Sequence, residues 1–65
     1  MLRLRGVLAV KAIAVKDCAT LLGIAEKTMH NKLSGRTDFT YGEIRKLKML
    51  LPEYDVDYLM SRESA

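Results

Sequence analysis

Residues 16–35 read Lys16-Asp17-Cys18-Ala19-Thr20-Leu21-Leu22-Gly23-Ile24-Ala25-Glu26-Lys27-Thr28-Met29-His30-Asn31-Lys32-Leu33-Ser34-Gly35, and their spacing decides the fold. Ala19 lies four residues before Gly23, Ile24 follows that glycine directly, and Met29 stands six after it. Two short helices hinged at Gly23 explain the pattern. The small residue lets them cross closely, while Ile24 and Met29 anchor the second against the first. Gly23 supplies a positive-φ turn that other residues adopt at a cost. The spacing predicts a second helix over Val15–Leu22 and a third over Ala25–Ser34, stopped by Gly35, the usual residue just past a helix end.

Reading outward, Thr40 and Glu43 predict a capping box, with Phe39 and Ile44 at the two positions of a hydrophobic staple. They open a fourth helix whose apolar face is Ile44, Leu47, Leu50 and Leu51 and which Pro52 ends. Asp55 is placed to cap a short fifth helix carrying Val56, Leu59 and Met60. Upstream, Leu4, Val7, Leu8 and Ala12 recur at helical spacing and predict a first helix over residues 2–12. Its polar residues Arg3, Arg5 and Lys11 fall off that face, and Gly6 weakens it by about 1 kcal/mol relative to Ala. There is no strand alternation, no repeat and no linker. The expected architecture is a single all-α domain of five helices.

The 65 residues sit near the lower limit at which one domain buries enough surface to fold alone. Hydrophobic content of 49% with a mean hydropathy of −0.01 argues against disorder. With no Trp, one Phe and three Tyr, the core must be mostly aliphatic. One Cys excludes an internal disulfide, and one Cys with one His cannot build a zinc site. A reducing cytoplasm fits. Lys11 and Lys16 interrupt the apolar run after Arg3 and Arg5, against a secretory leader, and no stretch approaches a membrane span.

The net charge of +3 is unevenly spread. Residues 1–37 hold Arg3, Arg5, Lys11, Lys16, Lys27, Lys32 and Arg36 against Asp17 and Glu26, an excess of +5. Residues 38–65 hold Arg45, Lys46, Lys48 and Arg62 against Asp38, Glu43, Glu53, Asp55, Asp57 and Glu63, an excess of −2. The half containing the hinged pair therefore favours a polyanion.

Catalytic chemistry finds little material. His30 is the single imidazole, and Cys18 falls beside Ala19 on the inward side of its helix, where cysteine behaves as a small hydrophobe. The glycines Gly23, Gly35 and Gly42 are isolated, so no phosphate loop forms. Asp55 and Asp57 sit near a surface turn, where capping and solvation account for them. No catalytic residue, metal or cofactor is expected.

The third helix carries the functional reading. Met29 and Leu33 mark its buried side, and the opposite side presents Glu26, Lys27, His30, Asn31 and Ser34. Asn suits adenine, Lys guanine, and Glu the cytosine amino group. The same residues also suit an ordinary solvated face; the turn and the basic half favour DNA. Lys32 borders the buried side, so its stem is expected to pack while its ammonium reaches outward to a phosphate. Arg36 is well placed for a phosphate, and helix N-termini near Lys16 and Thr40 offer backbone N–H groups, although Asp38 and Glu43 oppose the second. Arg3 and Arg5 are read as solvated.

These residues resemble the Cro/C1-type helix-turn-helix regulators of phages and prophages, of the lambda-repressor-like fold. The resemblance runs from Leu4 to Met60. It rests on Ala19, Gly23, Ile24, Thr28, Met29, Lys32, Leu33 and Gly35, then Asp38-Phe39-Thr40 and Glu43-Ile44, then Tyr54-Asp55-Val56-Asp57-Tyr58-Leu59. It implies a compact five-helix bundle whose second and third helices form the helix-turn-helix, and a homodimer on a palindromic operator of double-stranded DNA. Glu26, Lys27, Asn31 and His30 would face base edges, with Ser34 at the end of the reading surface. Lys16, Lys32, Arg36 and Tyr41 would lie on the phosphate side. Such a repressor would work in the cytoplasm of a bacterial cell or phage-infected host, with no membrane and no small-molecule ligand.

Two positions depart from that pattern. Val15 stands where the family usually opens the second helix with a phosphate-touching glutamine. Ala25 stands where a serine or threonine often caps the third, a loss of about 1 kcal/mol. A reading from a different class is a protein-interaction module, such as an antitoxin with a toxin protein as main partner. It draws on the acidic second half and on Met49, Tyr54, Tyr58 and Met60 if they are exposed.

Overall fold

In the computed structural model, which describes residues 1–62, the helices are α1 (Arg3–Val10), α2 (Val15–Leu22), α3 (Glu26–Ser34), α4 (Tyr41–Leu50) and α5 (Val56–Met60). The fold is all-α. An isolated antiparallel bridge between Leu2 and Arg62 is the one piece of β pairing among the described residues. No helix there is long and apolar enough to cross a membrane.

Three of the helices end in the same way. After α2, Gly23 (φ +74°) donates its N–H to the Thr20 carbonyl while Ile24 donates to Ala19. After α3, Gly35 (φ +90°) donates to Lys32 while Arg36 donates to Asn31. Both are Schellman closures, which satisfy carbonyls the helix leaves open and turn the chain sharply. The end of α1 has the same pair of bonds, Ala12 to Ala9 and Ile13 to Leu8, but the left-handed residue is an alanine, Ala12 at φ +58°. The helix expected over residues 2–12 therefore stops at Val10. Ala12 is an exposed turn residue, not part of the apolar face.

Leu4, Leu8, Met29, Leu33, Leu47, Leu51 and Leu59 are fully buried, joined by Val7, Val15, Cys18, Ala19 and Leu22. At roughly 1.5–3 kcal/mol for each large aliphatic side chain, this cluster is the main force holding five short helices together. α2 packs on α3 and on α4, and α1 packs on α5. Phe39, Leu50, Tyr54 and Met60 border the core, and Ile44 is half-buried.

Leu2 and Arg3 meet Ser61 and Arg62 at the edge of this core. Leu2 is buried and donates its N–H to the Leu33 carbonyl at 2.9 Å, satisfying an open group at the end of α3. Arg3 N–H donates to the Ser61 carbonyl at 2.9 Å. Arg3 was read as solvated, yet it is half-buried: its guanidinium donates to Ser61 Oγ at 2.8 Å and lies 5.3 Å over the Tyr58 ring. Packing against a short fifth helix explains the difference, because α5 needs neighbours to hold it.

Candidate nucleic-acid interface

α3 enters from Ala25, whose side chain cannot cap it, and leaves at Gly35. Around its axis Met29, Lys32 and Leu33 point inward. Glu26, Lys27, Thr28 and His30 are exposed, while Asn31 and Ser34 are half-buried. At 100° per residue the exposed arc centres on Lys27 and Ser34, with His30 and Asn31 on either side. The five residues expected to face bases therefore share one continuous surface.

Little in the fold consumes them. The His30 imidazole approaches the Glu26 carboxylate at 3.5 Å, one helical turn away, with both side chains about half exposed. Ser34 Oγ donates to the Asn31 carbonyl at 2.9 Å, so this hydroxyl is partly spoken for by the helix end. Lys27 has no ion-pair partner among the described residues.

The phosphate-side residues divide. Lys16 is exposed in the first turn of α2, whose preceding residue Ala14 makes no side-chain cap. The leading N–H groups of α2 are thus free of a competing side chain, as an anion contact at a helix start requires. Val15, which replaces the expected polar opener, is buried and serves the core instead. Arg36 is exposed directly after the α3 closure. Tyr41 is 76% exposed at the start of α4 and lies under the Arg45 guanidinium, 5.9 Å from its ring centre. Arg45 is thereby a further exposed cation beside Tyr41, and the four-residue interval between them on one helix face is the signal for it in the sequence.

Lys32 does not belong to it. Its ammonium turns inward, donating to Glu43 Oε1 at 2.6 Å and to the Asp38 carbonyl at 3.1 Å. Lys32 is buried, and its ammonium also lies 5.6 Å from the Phe39 ring centre. The outward phosphate contact expected of this residue is corrected: a partner of opposite charge within reach holds the ammonium inside. The same Glu43 oxygen accepts the Thr40 N–H at 2.9 Å, while Thr40 Oγ1 accepts the Glu43 N–H at 3.2 Å. The expected capping box is present. One carboxylate oxygen thereby ties the buried edge of α3 to the start of α4. Burial alone pushes the Glu43 carboxyl up, but the hydrogen bonds and charge from Lys32 and Thr40 prevail and hold it below its ordinary value. With both groups of the box engaged, the backbone at the start of α4 is a poor anion site, and only the Tyr41 and Arg45 side chains are exposed there.

Cys18 is buried, and burial pushes its thiol up, away from the reactive thiolate. Asp55 stands at the start of α5 without a side-chain cap bond, short of the capping role expected of it. Comparison with protein-family models, with curated proteins and with solved structures finds no match for the chain.

Proposed function

We propose that the protein is a sequence-specific DNA-binding transcriptional regulator that sets α3 into the major groove and acts as a dimer on a palindromic operator. The observation that carries this reading is the outer face of α3. Glu26, Lys27, His30, Asn31 and Ser34 form one surface with almost no structural duty, on a helix fixed on its other side by Met29, Leu33 and the Lys32–Glu43 pair. Lys16, Arg36, Tyr41 and Arg45 supply exposed cationic or hydroxyl groups on the adjoining elements. Each copy measures 28 × 24 × 23 Å. Two copies side by side are on the scale of successive major grooves, about 34 Å apart.

Selection of bound sequences from random DNA, followed by salt titration of the selected site, tests the reading. Affinity should fall steeply with salt as phosphate contacts release counterions. Asn31→Ala should lose discrimination between sequences, whereas Arg36→Ala should weaken all DNA about equally. No binding at about 50–100 mM salt, or a flat salt response, would defeat the proposal. A second reading, a protein-interaction module such as an antitoxin, is favoured by the exposure of Met49 and Tyr58. A co-purifying toxin protein without sequence selection would establish it instead.

A further inference from the structure

On the outer face of α3, Glu26 and His30 stand one helical turn apart, and the imidazole Nε2 lies 3.5 Å from Glu26 Oε2. The sequence leaves this carboxylate few alternatives. One turn on from Glu26 it places Met29, which is fully buried, and His30. The uncapped start of α3 does not claim it either: among the described residues Glu26 accepts no hydrogen bond. With Oε2 towards the imidazole, Oε1 is therefore without a partner among those residues. Around the helix axis the pair forms one edge of the exposed arc, beside Lys27 and Ser34.

His30 is the single imidazole of the chain, and imidazole is the side chain that gains a charge as pH falls from about 8 to 5. Glu26 alone of the described charged groups comes within ion-pair distance of it. α2, which packs on α3, carries Lys16 and Asp17, of opposite sign, and neither pairs with His30 or Glu26. Nor does Arg5 of α1, Lys27 on the same face, or Arg36 beyond the helix end. Lys32 lies about 160° away around α3, and its ammonium holds Glu43 and the Asp38 carbonyl on that other side. A protonated His30 therefore attracts Glu26 with no competitor in contact. A neutral one leaves the carboxylate loose and negative, and DNA phosphates would repel it.

We propose that His30 is a positioning residue for Glu26: protonated, it holds one carboxylate oxygen and leaves the other to a cytosine amino group, so that this base is discriminated more sharply near about pH 6 than near about pH 8. The inference rests on the DNA-binding reading and deepens it, giving Glu26 the base and His30 the proton. Binding to the preferred site then takes up a proton on His30, and the paired charges cancel where Glu26 alone would oppose the phosphates.

Two measurements test it, one without DNA. In the free protein, NMR titration of the His30 ring protons should give a midpoint that falls by about 0.3 on the pH scale in Glu26→Gln, the worth of a one-turn pair on a helix surface. On DNA, a site selected from random sequences is compared with versions changed at the base pair where Glu26→Gln has its largest effect. The ratio of their affinities is read, because added charge alone strengthens every sequence alike. For the wild type this ratio should be about twofold or more larger near about pH 6 than near about pH 8. His30→Gln should show the smaller ratio at both. His30→Lys, charged throughout and well oriented towards Glu26, should show the larger ratio at both, but not when combined with Glu26→Gln. Both side chains are exposed, so circular dichroism should show unchanged helix content. An unmoved midpoint, or a ratio independent of pH, would overturn the proposal. So would a pH dependence that survives in Glu26→Gln, since His30 would then meet the DNA itself. If no sequence is selected at all, the DNA reading falls and the role of His30 with it, whereas selection without pH dependence refutes the role of His30 alone.

Discussion

The first three helices and the fourth are held at their ends by different means. α1, α2 and α3 are closed by backbone bonds around a left-handed residue, and none has a side-chain cap at its start. α4 is fixed at its start by side chains: the Thr40 hydroxyl, the Glu43 carboxylate and, reaching across from α3, the Lys32 ammonium. Backbone closures need only a permissive residue at one position, so they leave the surrounding side chains at liberty. Side-chain closures consume polar groups. This contrast explains why the outer face of α3 is left with little structural duty and why Lys32 is not.

Breaking the side-chain arrangement should have the largest effect. Lys32→Ala removes the ammonium and leaves Glu43 in a mostly dry site, where losing one partner of a buried pair costs about 3 kcal/mol. Urea denaturation should read this as a fall in midpoint with little change in slope. Lys32→Met/Glu43→Leu should regain only part of the loss, since apolar residues of similar volume often replace such pairs without penalty but the Thr40 N–H loses its carboxylate acceptor. The acid limb supplies a second measure. A carboxyl held below its ordinary value stabilises the fold above the unfolded value, near about 4.3, and that contribution disappears as pH falls through the folded value. Glu43→Gln should therefore lower stability at neutral pH and flatten its decline below about pH 4.5. If Lys32→Ala proved harmless, Lys32 would again be available as a surface cation.

The backbone closures should respond less, and unequally. Gly35 and Gly23 are both left-handed, but an added methyl group at Gly23 meets nothing within 4 Å. At Gly35 it would lie 2.5 Å from the Arg62 guanidinium. Gly23→Ala should cost about 1 kcal/mol, the backbone penalty alone. Gly35→Ala should cost slightly more, about 1.5 kcal/mol, because the end of the exposed Arg62 side chain must also move aside. Thermal unfolding of the two variants side by side distinguishes them; equal losses would show that Arg62 moves aside freely.

What the sequence made legible follows the same division. Gly23, Gly35 and the Thr40/Glu43 box are residue types tied to one local geometry, and α2 to α4 lie where those signals place them. The exposed arc of α3 followed from the positions of Met29 and Leu33 alone. Lys32 was misplaced because its outcome depends on a carboxylate eleven residues away, which periodicity within one helix does not register. Arg3 was misread for the same reason, its partner Ser61 lying at the other end of the chain.

The end of α1 gives the smallest test and the sharpest one. Its hydrogen bonds are those of the α2 and α3 closures, yet the left-handed position holds Ala12, which is why the sequence extended this helix two residues too far. A left-handed alanine is strained by about 1–2 kcal/mol, and glycine removes that strain at an entropic cost of up to about 1 kcal/mol in the unfolded chain. Ala12 is exposed, so no packing is lost on substitution. Ala12→Gly should therefore raise stability by about 0.5 kcal/mol, whereas the reverse change at Gly23 lowers it. The gain should appear as a slightly higher urea midpoint with DNA binding unaltered. A loss of stability would mean that α1 continues through Ala12 in solution and that the three closures are not alike.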